Sequence, residues 1–244
     1  MGVHVVTPSK IANTLSQYYF DSLVETATAN GAEYHYETTV GAGLPVLAPL
    51  RNLLETGDKI VEISGVLSGT MTYLFDEIGK GASFSEAVIR ARALGYAEPD
   101  PRDDLSGEDV ARKFLILARV CGRKIERNQI HVESLIPDFL KDTDSTTFLE
   151  ELHRVDNYWI ERLEKSRKNG KTLRYMGSFS DDSIQIGIRE VEKQSPAGQL
   201  TGTNNLIRIK TGRYYDQPLI IQGPGAGKEV TAAGILADVL KVCG

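Results

Sequence analysis

GYAEPDPRDDLSGEDVARK, residues 95–113, is the most informative segment of the sequence. Six of these nineteen residues are aspartate or glutamate, and two prolines stiffen the first half. The stretch then runs directly into an apolar helical pattern that continues to Cys121. A solvated surface loop is one interpretation, and a site that recognises a cationic group such as an amine is the other.

The helix predicted after Ser106 places two charged side chains among apolar ones. At about 100° per residue, Asp109 and Lys113 project between Leu117 and Ile116. Charged side chains among apolar ones cost folding free energy unless they pair with an opposite charge or serve a function. The pattern leaves two alternatives open: a half-exposed salt bridge across one turn, or a functional Lys113 that is oriented by Asp109 and acts as acid and base.

The same helix carries two further local predictions. Ser106 and Asp109 stand at the spacing of a capping box, which predicts Ser106 as the N-cap. Glu108, Arg112 and Arg119 fall opposite the apolar side, where a solvated pair four residues apart is expected.

Composition limits the class of protein. The chain has 244 residues, of which 41% are hydrophobic, so it can bury a core as one or two domains. A net charge of −5 gives no electrostatic footprint for nucleic acid or an anionic membrane, and no apolar run approaches the about 20 residues that a membrane helix needs. The two cysteines, Cys121 and Cys243, are predicted to be buried free thiols.

The order of patterns predicts an α+β fold, a mixed β-sheet covered by helices on one face. Near the N-terminus, a helix is expected over 10–30 and a strand over 32–40. From Lys171 onward, alternating segments predict strands joined by turns such as Asp181-Asp182 and Asn204-Asn205. The segment EVTAAGILADVLKV, residues 229–242, predicts a closing helix.

Three short turns are candidates for binding, each with a structural alternative. GPGAG, residues 223–227, can let a backbone approach an anionic ligand, or can be a packing turn. In ETTVGAGL, residues 37–44, a carboxylate and backbone carbonyls can form an all-oxygen cation site, or the segment simply joins a strand to a helix. Ser68-Gly69-Thr70 can hold a carboxylate or cap a helix.

Five segments together resemble the homoserine dehydrogenase family, and they occur in the family's order. They are HVVTPSK (4–10), ETTVGAGLPV (37–46), GVLSGT (65–70), GYAEPDPRDDLSGEDVARK (95–113) and GPGAGKEVTAAG (223–234). The residues of these segments are most similar to those of the form fused behind aspartate kinase and of the fungal monofunctional enzyme. The long acidic motif is the specific part of this resemblance.

The resemblance implies reversible oxidation of L-homoserine to L-aspartate 4-semialdehyde with NADP or NAD. Catalysis would rest on Lys113 as the proton donor and acceptor and on Asp109, which orients the substrate and its water. The implied substrate-binding residues are Glu98, Tyr96, Asp104, Gly69 and Thr70. The implied cofactor-binding residues are Lys10, Gly95, Gly225 and Gly227. A monovalent cation, sodium, would be bound by Glu37 and by the carbonyls of Val40, Ala42 and Leu44.

The resemblance also implies an organisation. Residues 1–36 would be the end of a Rossmann-type nucleotide-binding domain, 37–215 the substrate-binding, catalytic and dimerisation domain, and 216–244 a segment returning to the first. Because the family's GxGxxG turn precedes the segment matching HVVTPSK, cofactor binding by this chain alone is expected to be weak; the alternative is a truncated, non-catalytic module that dimerises. A homodimer, an upstream aspartate kinase domain and a cytoplasmic location, or a plastid one, are expected.

Overall fold

A long hairpin, β5–β6, lies within the main sheet. Asp181 and Asp182 both have positive φ, 47° and 61°, which is the conformation of a two-residue hairpin turn. The turn expected at this dipeptide is therefore confirmed.

The computed structural model describes residues 2–243. Its strands are β1 Val5–Val6, β2 Tyr34–His35, β3 Ile60–Val66, β4 His131–Val132, β5 Lys171–Ser180, β6 Ser183–Glu192, β7 Asn204–Thr211 and β8 Leu219–Pro224.

Six of these strands form one mixed sheet in the order β4-β6-β5-β3-β7-β8. The β4–β6 pair is parallel, and the other neighbours are antiparallel. β1 and β2 form a separate parallel pair near the N-terminus. The helices are α1 Ile11–Thr14, α2 Gln17–Ala29, α3 Leu47–Glu55, α4 Gly69–Lys80, α5 Phe84–Ala93, α6 Arg102–Leu105, α7 Glu108–Val120, α8 Ser145–Glu151, α9 Asp156–Lys168 and α10 Lys228–Cys243.

The main sheet buries one face under helices, as the sequence predicts. Ile63 lies beside Phe179 and Ile209 on neighbouring strands, and all three belong to the main hydrophobic core. On the opposite face, Glu62 and Arg208 form an ion pair at 3.2 Å. The alternation of apolar and polar side chains along each strand produces this two-faced sheet.

A close approach fixes α7 against β5. Any Cβ atom at Gly177 would overlap the ring of Phe114, so the ring packs directly on the bare backbone of the strand. Phe114 is fully buried in the core and follows Lys113 in α7. The glycine in β5 therefore decides how near the helix that carries Lys113 comes to the sheet.

The N-terminal region departs from the prediction. The expected helix over 10–30 is interrupted at Leu15, and Ser16 caps α2 by accepting the N–H of Tyr19. The expected strand over 32–40 is limited to β2, because the chain turns into a 3-10 helix at Glu37–Thr39. Helical and strand periodicity is local, whereas distant residues bond at both interruptions: the N–H of Gln17 donates to Glu126, and the N–H of Glu37 donates to Asp238.

The two cysteines differ in environment. Cys121 is partly buried, and burial raises the pKa of its thiol to about 12. Cys243 is exposed, so the expectation of burial is wrong for this residue. The reason is that α10 lies at the surface with most of its side chains accessible. Within residues 2–243, no helix is long and apolar enough to span a membrane.

This difference predicts selective labelling of the folded chain. At pH 8, a thiol with a pKa of about 12 is ionised in only about one molecule in ten thousand, so iodoacetamide modifies Cys243 and leaves Cys121 intact. Peptide mass spectrometry before and after unfolding in urea checks the result. Rapid labelling of Cys121 in the folded protein would contradict it, and Cys243→Ser serves as the control with no reactive thiol expected.

Candidate functional site

Two lysines share one aspartate at the end of the central strand β3. Lys113 is buried, and its Nζ donates to the carbonyl oxygen of Leu67 at 2.7 Å and to Asp109 Oδ2 at 2.8 Å. The other carboxylate oxygen, Asp109 Oδ1, lies 3.2 Å from Lys10 Nζ. The structure thus brings Lys10, from the N-terminal segment, to Asp109 and Lys113, which lie one helical turn apart in α7.

The two lysines control the ionisation of Asp109. Its partial burial on its own raises the pKa of the carboxyl group, but the charges of Lys113 and Lys10 and their hydrogen bonds outweigh burial and hold the pKa below its usual range. Asp109 therefore stays ionised at neutral pH. Its side chain is 47% exposed, which leaves the carboxylate accessible from the open side of the site.

Gly107 sets the start of the helix that carries this pair. Its φ is +76°, and a Cβ atom there would overlap the hydroxyl of Tyr175, which donates to the carbonyl oxygen of Glu133 at 2.8 Å. The N-cap is therefore Gly107 and not Ser106, although Ser106 Oγ accepts the N–H of Glu108 at 3.2 Å. The capping box predicted at Ser106 is wrong because the chain must pass Tyr175 at this point.

The prediction for the outer side of α7 is also wrong in part. Glu108 forms an ion pair with Arg127, not with the exposed Arg112. Arg119 is buried and donates to the carbonyl oxygens of Asn13 and Ile125. The N-terminal segment and the 125–127 segment cover this side of the helix, which the helical pattern alone does not reveal.

Asp104 holds the acidic segment against the start of α4. Thr70 Oγ1 lies 2.6 Å from the carbonyl oxygen of Tyr96 and 2.8 Å from Asp104 Oδ1, so its one proton can serve only one of them at a time. Asp104 Oδ2 accepts the N–H of Glu98 at 2.8 Å. Burial raises the pKa of the Asp104 carboxyl group, although the bonds from Glu98 and Thr70 oppose the rise. A cation placed beside Asp104 would favour its ionised form.

The remaining candidate substrate residues surround this point. Tyr96 and Glu98 are exposed, and the Tyr96 ring packs edge-on to Tyr73 with centroids 5.1 Å apart. Gly69 is the first residue of α4, and a Cβ atom there would come within 2.9 Å of the carbonyl oxygen of Thr203. Gly95 follows α5 with a φ of +72°. The segment 96–105, called the acidic rim below, is thus open to solvent beside the start of α4.

Arg102 fastens that acidic rim to the rest of the fold. Its guanidinium pairs with Asp100 and donates to the carbonyl oxygens of Lys141 and Thr143. It also lies over the Phe148 ring, 5.3 Å from the centroid. Sequence analysis did not single out Arg102, although an arginine between two prolines and two aspartates is a signal for such a clamp.

Replacing Arg102 with alanine should loosen the acidic rim. The loss of charge-assisted hydrogen bonds is expected to lower the free energy of unfolding by about 1.5–3 kcal/mol. Amide hydrogen exchange in residues 96–105 should accelerate more than elsewhere. Arg112→Ala, at an exposed position of α7, is the matched control and should leave exchange unchanged. Equal exchange in the two variants would show that the clamp is unimportant.

The glycine-rich turn covers a buried amide that sequence analysis missed. Gly225 and Gly227 lie between β8 and α10, and Gly227 has a φ of +128°. A Cβ atom at Gly225 would overlap the side-chain amide of Asn205, which is fully buried and has no hydrogen-bond partner among the described residues. Asn204 and Asn205 begin β7, so the turn predicted at this dipeptide is wrong.

The segment from Glu37 to Leu44, called the cation loop below, presents several oxygens. Glu37 Oε1 accepts the N–H groups of Val46 and Leu47, both at 2.7 Å, at the start of α3. Glu37 Oε2 is buried and has no hydrogen-bond partner among the described residues. Ala42 adopts the left-handed conformation with a φ of 53°, so the loop reverses direction sharply.

The backbone of the cation loop also has free acceptors. Within residues 2–243 and outside regular helices and strands, no backbone N–H donates to the carbonyl oxygens of Val40, Ala42 or Leu44. Carbonyl and carboxylate oxygens are the ligands that hard cations prefer. The loop therefore has a donor set that fits such an ion.

A buried lysine with an ionised aspartate, beneath an acidic rim, is typical of an enzyme that moves a proton at a substrate oxygen. The homoserine dehydrogenase family profile matches residues 45–240. A homoserine dehydrogenase of Emericella nidulans is 40% identical over 99% of the chain and 69% of its own length. The chain belongs to the homoserine dehydrogenase family.

Two further similarities place the chain within that family. A chloroplastic bifunctional aspartokinase/homoserine dehydrogenase of Zea mays is 45% identical over 99% of the chain, and the match spans 27% of the longer protein. The chain thus covers about a quarter of that relative. A hyperthermophilic archaeal homoserine dehydrogenase mutant, solved in complex with NADPH, aligns with a TM-score of 0.74 at 27% identity, covering 98% of this chain and 64% of that one.

Proposed function

We propose that the chain carries the catalytic region of a homoserine dehydrogenase, which interconverts L-homoserine and L-aspartate 4-semialdehyde with NADP or NAD. The observation that carries this proposal is the hydrogen bonding of Lys113. A neutral lysine amine has two N–H groups, and Leu67 and Asp109 provide two acceptors for them. The nitrogen lone pair is then left for a third direction, where a substrate hydroxyl can be placed.

The proton transfer follows from this geometry. Lys113 Nζ accepts the proton of the homoserine hydroxyl, and the resulting ammonium keeps its bonds to Leu67 and Asp109. After the transfer, the charges of Lys113 and Lys10 hold the pKa of Asp109 below its usual range, so Asp109 orients Lys113 without taking the proton itself. In the reverse direction, the ammonium returns the proton to the aldehyde oxygen.

The dinucleotide, when bound, accepts the hydride that leaves the hydroxyl-bearing carbon. The proposed contacts to it are Lys10, which approaches from the N-terminal segment, and the glycines Gly95, Gly225 and Gly227. Bare backbone at Gly95 and Gly227 permits the close approach of a large ligand, whereas Gly225 packs on Asn205. The NADPH complex of the archaeal relative supports the use of a nicotinamide dinucleotide.

Substrate recognition is proposed for the acidic rim. The ammonium of homoserine is matched by the carboxylates of Glu98 and Asp104, and its binding would favour the ionised form of Asp104, whose pKa burial raises. Thr70 and Gly69, at the start of α4, suit the substrate carboxylate because helix N-termini attract anions. Tyr96 would close the exposed side.

The experiment is homoserine-dependent reduction of NADP, followed by absorbance. It uses the chain alone and the chain fused behind the nucleotide-binding segment of the Emericella nidulans relative. Homoserine should be oxidised. The kcat/KM for 4-hydroxybutanoate, which lacks the ammonium, should be lower than that for homoserine by on the order of 10⁴-fold. Equal use of the two compounds would refute recognition by Glu98 and Asp104, and absence of turnover in the fusion protein would refute the activity.

We also propose that the cation loop binds sodium through Glu37 and the carbonyls of Val40, Ala42 and Leu44. Support comes from the buried, unpartnered Glu37 Oε2 and from the three free carbonyls. A sodium-dependent rise in the melting temperature, compared with choline at equal ionic strength, tests this proposal.

The domain division and the oligomeric state are proposals as well. The parallel β1–β2 pair, separate from the main sheet, supports assigning 1–36 to a nucleotide-binding region and 37–215 to the catalytic domain. The segment 216–244 is also proposed to return to the nucleotide-binding region, although β8 within it pairs with β7 in the main sheet. The polar sheet face that carries Glu62 and Arg208 is proposed as the surface of a homodimer. Light scattering of the purified chain, with Arg208→Glu as the comparison, tests the dimer.

The Zea mays relative supports two proposals about context. An aspartate kinase domain is proposed upstream on the same polypeptide, as the name of that bifunctional relative indicates. A plastid location is proposed for such a fused form, and a cytoplasmic one for a form similar to the fungal enzyme. The upstream reading frame and a fluorescent fusion of the complete gene product test both.

A further inference from the structure

The C-terminal helix α10 lies directly against the cation loop. A Cβ atom at Gly43 would overlap the carbonyl oxygen of Val230, and a Cβ atom at Gly234 would come within 2.5 Å of Thr38 Cγ2. The backbone of the helix therefore contacts the loop closely on two successive turns. Side chains at either glycine would push the two segments apart.

One carboxylate on this helix reaches the first residue of the loop. Asp238 is only 1% exposed, and its Oδ2 accepts the backbone N–H of Glu37 at 3.0 Å. Its Oδ1 accepts from Lys241 Nζ at 2.9 Å and lies 3.9 Å from His35 Nδ1. Neither sequence analysis nor the proposed function assigns a role to this residue.

The contact bears on how Glu37 is oriented. Glu37 Oε1 is occupied by two N–H groups of α3, so the position of the Glu37 backbone decides where Oε2 points. Asp238 fixes that backbone by accepting the N–H of Glu37. Because this bond is buried, water cannot take the place of the carboxylate. The N–H of Glu37 would otherwise be a buried donor without a partner.

We propose that Asp238 is a positioning residue for the cation loop: it holds Glu37 so that Oε2 and the loop carbonyls face a bound monovalent cation. The proposal rests on the sodium site set out under the proposed function. Asp238 itself is not a ligand of the ion. Through Asp238, α10 makes the affinity of the loop for sodium depend on the C-terminal helix.

The test measures the sodium concentration that gives half-maximal thermal stabilisation. Sodium chloride is titrated against choline chloride at constant ionic strength, so that only specific binding raises the melting temperature. Asp238→Ala should increase the half-saturating sodium concentration at least tenfold. Asp238→Asn keeps an oxygen that can accept from Glu37, and it should stay within about threefold of the unmodified protein.

Two further variants separate positioning from general destabilisation. Asp58 is a similarly buried aspartate that accepts the N–H groups of Lys59 and Arg213, outside the cation loop and α10. Asp58→Ala should lower the melting temperature and leave the sodium dependence unchanged. Gly234→Ala, which pushes α10 away from Thr38, should weaken sodium binding, and it decides the question if Asp238→Ala does not fold.

Each outcome has one meaning. If the unmodified protein shows no sodium dependence, the sodium site itself is refuted, and the positioning role falls with it. If sodium stabilises the protein but the variants at Asp238 and Gly234 keep its affinity, the site stands and the role of Asp238 is refuted. A loss of affinity in Asp58→Ala equal to that in Asp238→Ala also refutes the positioning role.

Discussion

Replacing Lys113 with alanine is expected to lower kcat for homoserine oxidation by about 10²–10⁴-fold. The variant removes the amine that we propose takes the hydroxyl proton, and the surrounding carbonyl and carboxylate oxygens are not expected to replace it. The fusion protein described for the activity test provides the assay, with melting temperature measured beside it.

Lys113→Arg is the matched control for charge. An arginine keeps a positive charge that can pair with Asp109, but its guanidinium does not lose a proton in proteins and cannot act as the base. Its kcat should stay low while the fold is retained. Activity near that of the unmodified protein in either variant would show that proton transfer depends on another group.

Replacing Gly177 with alanine is expected to lower both the stability and the activity of the protein. The added methyl group would overlap the Phe114 ring in the core, and overpacking of this kind costs about 1–3 kcal/mol of unfolding free energy. Because Phe114 follows Lys113 in α7, the displaced ring should also move the amine, and kcat should fall. Urea unfolding and the homoserine assay measure the two effects.

Two further substitutions make this prediction specific. Gly79 lies in α4 with no atom within 4 Å of an added Cβ, so Gly79→Ala should be neutral or stabilising. Combining Gly177→Ala with Phe114→Leu removes ring atoms from the overlap and should recover part of the stability. If Gly177→Ala behaves like Gly79→Ala, the close packing of α7 on β5 does not constrain the site.

The parts of the fold that local patterns control were predictable. The Asp109–Lys113 pair follows from helical spacing, the turn at Asp181-Asp182 from its sequence, and the one-sided covering of the sheet from alternation along the strands. The family resemblance added the roles, because spacing alone left the lysine–aspartate pair open as a plain salt bridge.

The contacts that sequence reasoning missed join distant parts of the chain. Asp238 reaches Glu37 across 201 residues, and Arg119 reaches the carbonyl oxygen of Asn13 across 106. Periodicity carries no information about such pairs. The same holds for Asn205, whose burial depends on the turn at Gly225 packing over it.

The sharing of Asp109 between two lysines has a consequence for charge balance in the proposed reaction. The proton that Lys113 is proposed to accept would place a positive charge beside Asp109, a carboxylate that Lys10 also contacts. A bound nicotinamide dinucleotide would lose one positive charge on accepting the hydride, and Lys113 would gain one with the proton. The total charge of the site would therefore stay constant. Little reorganisation of the surrounding dipoles is needed, which favours reaction in both directions.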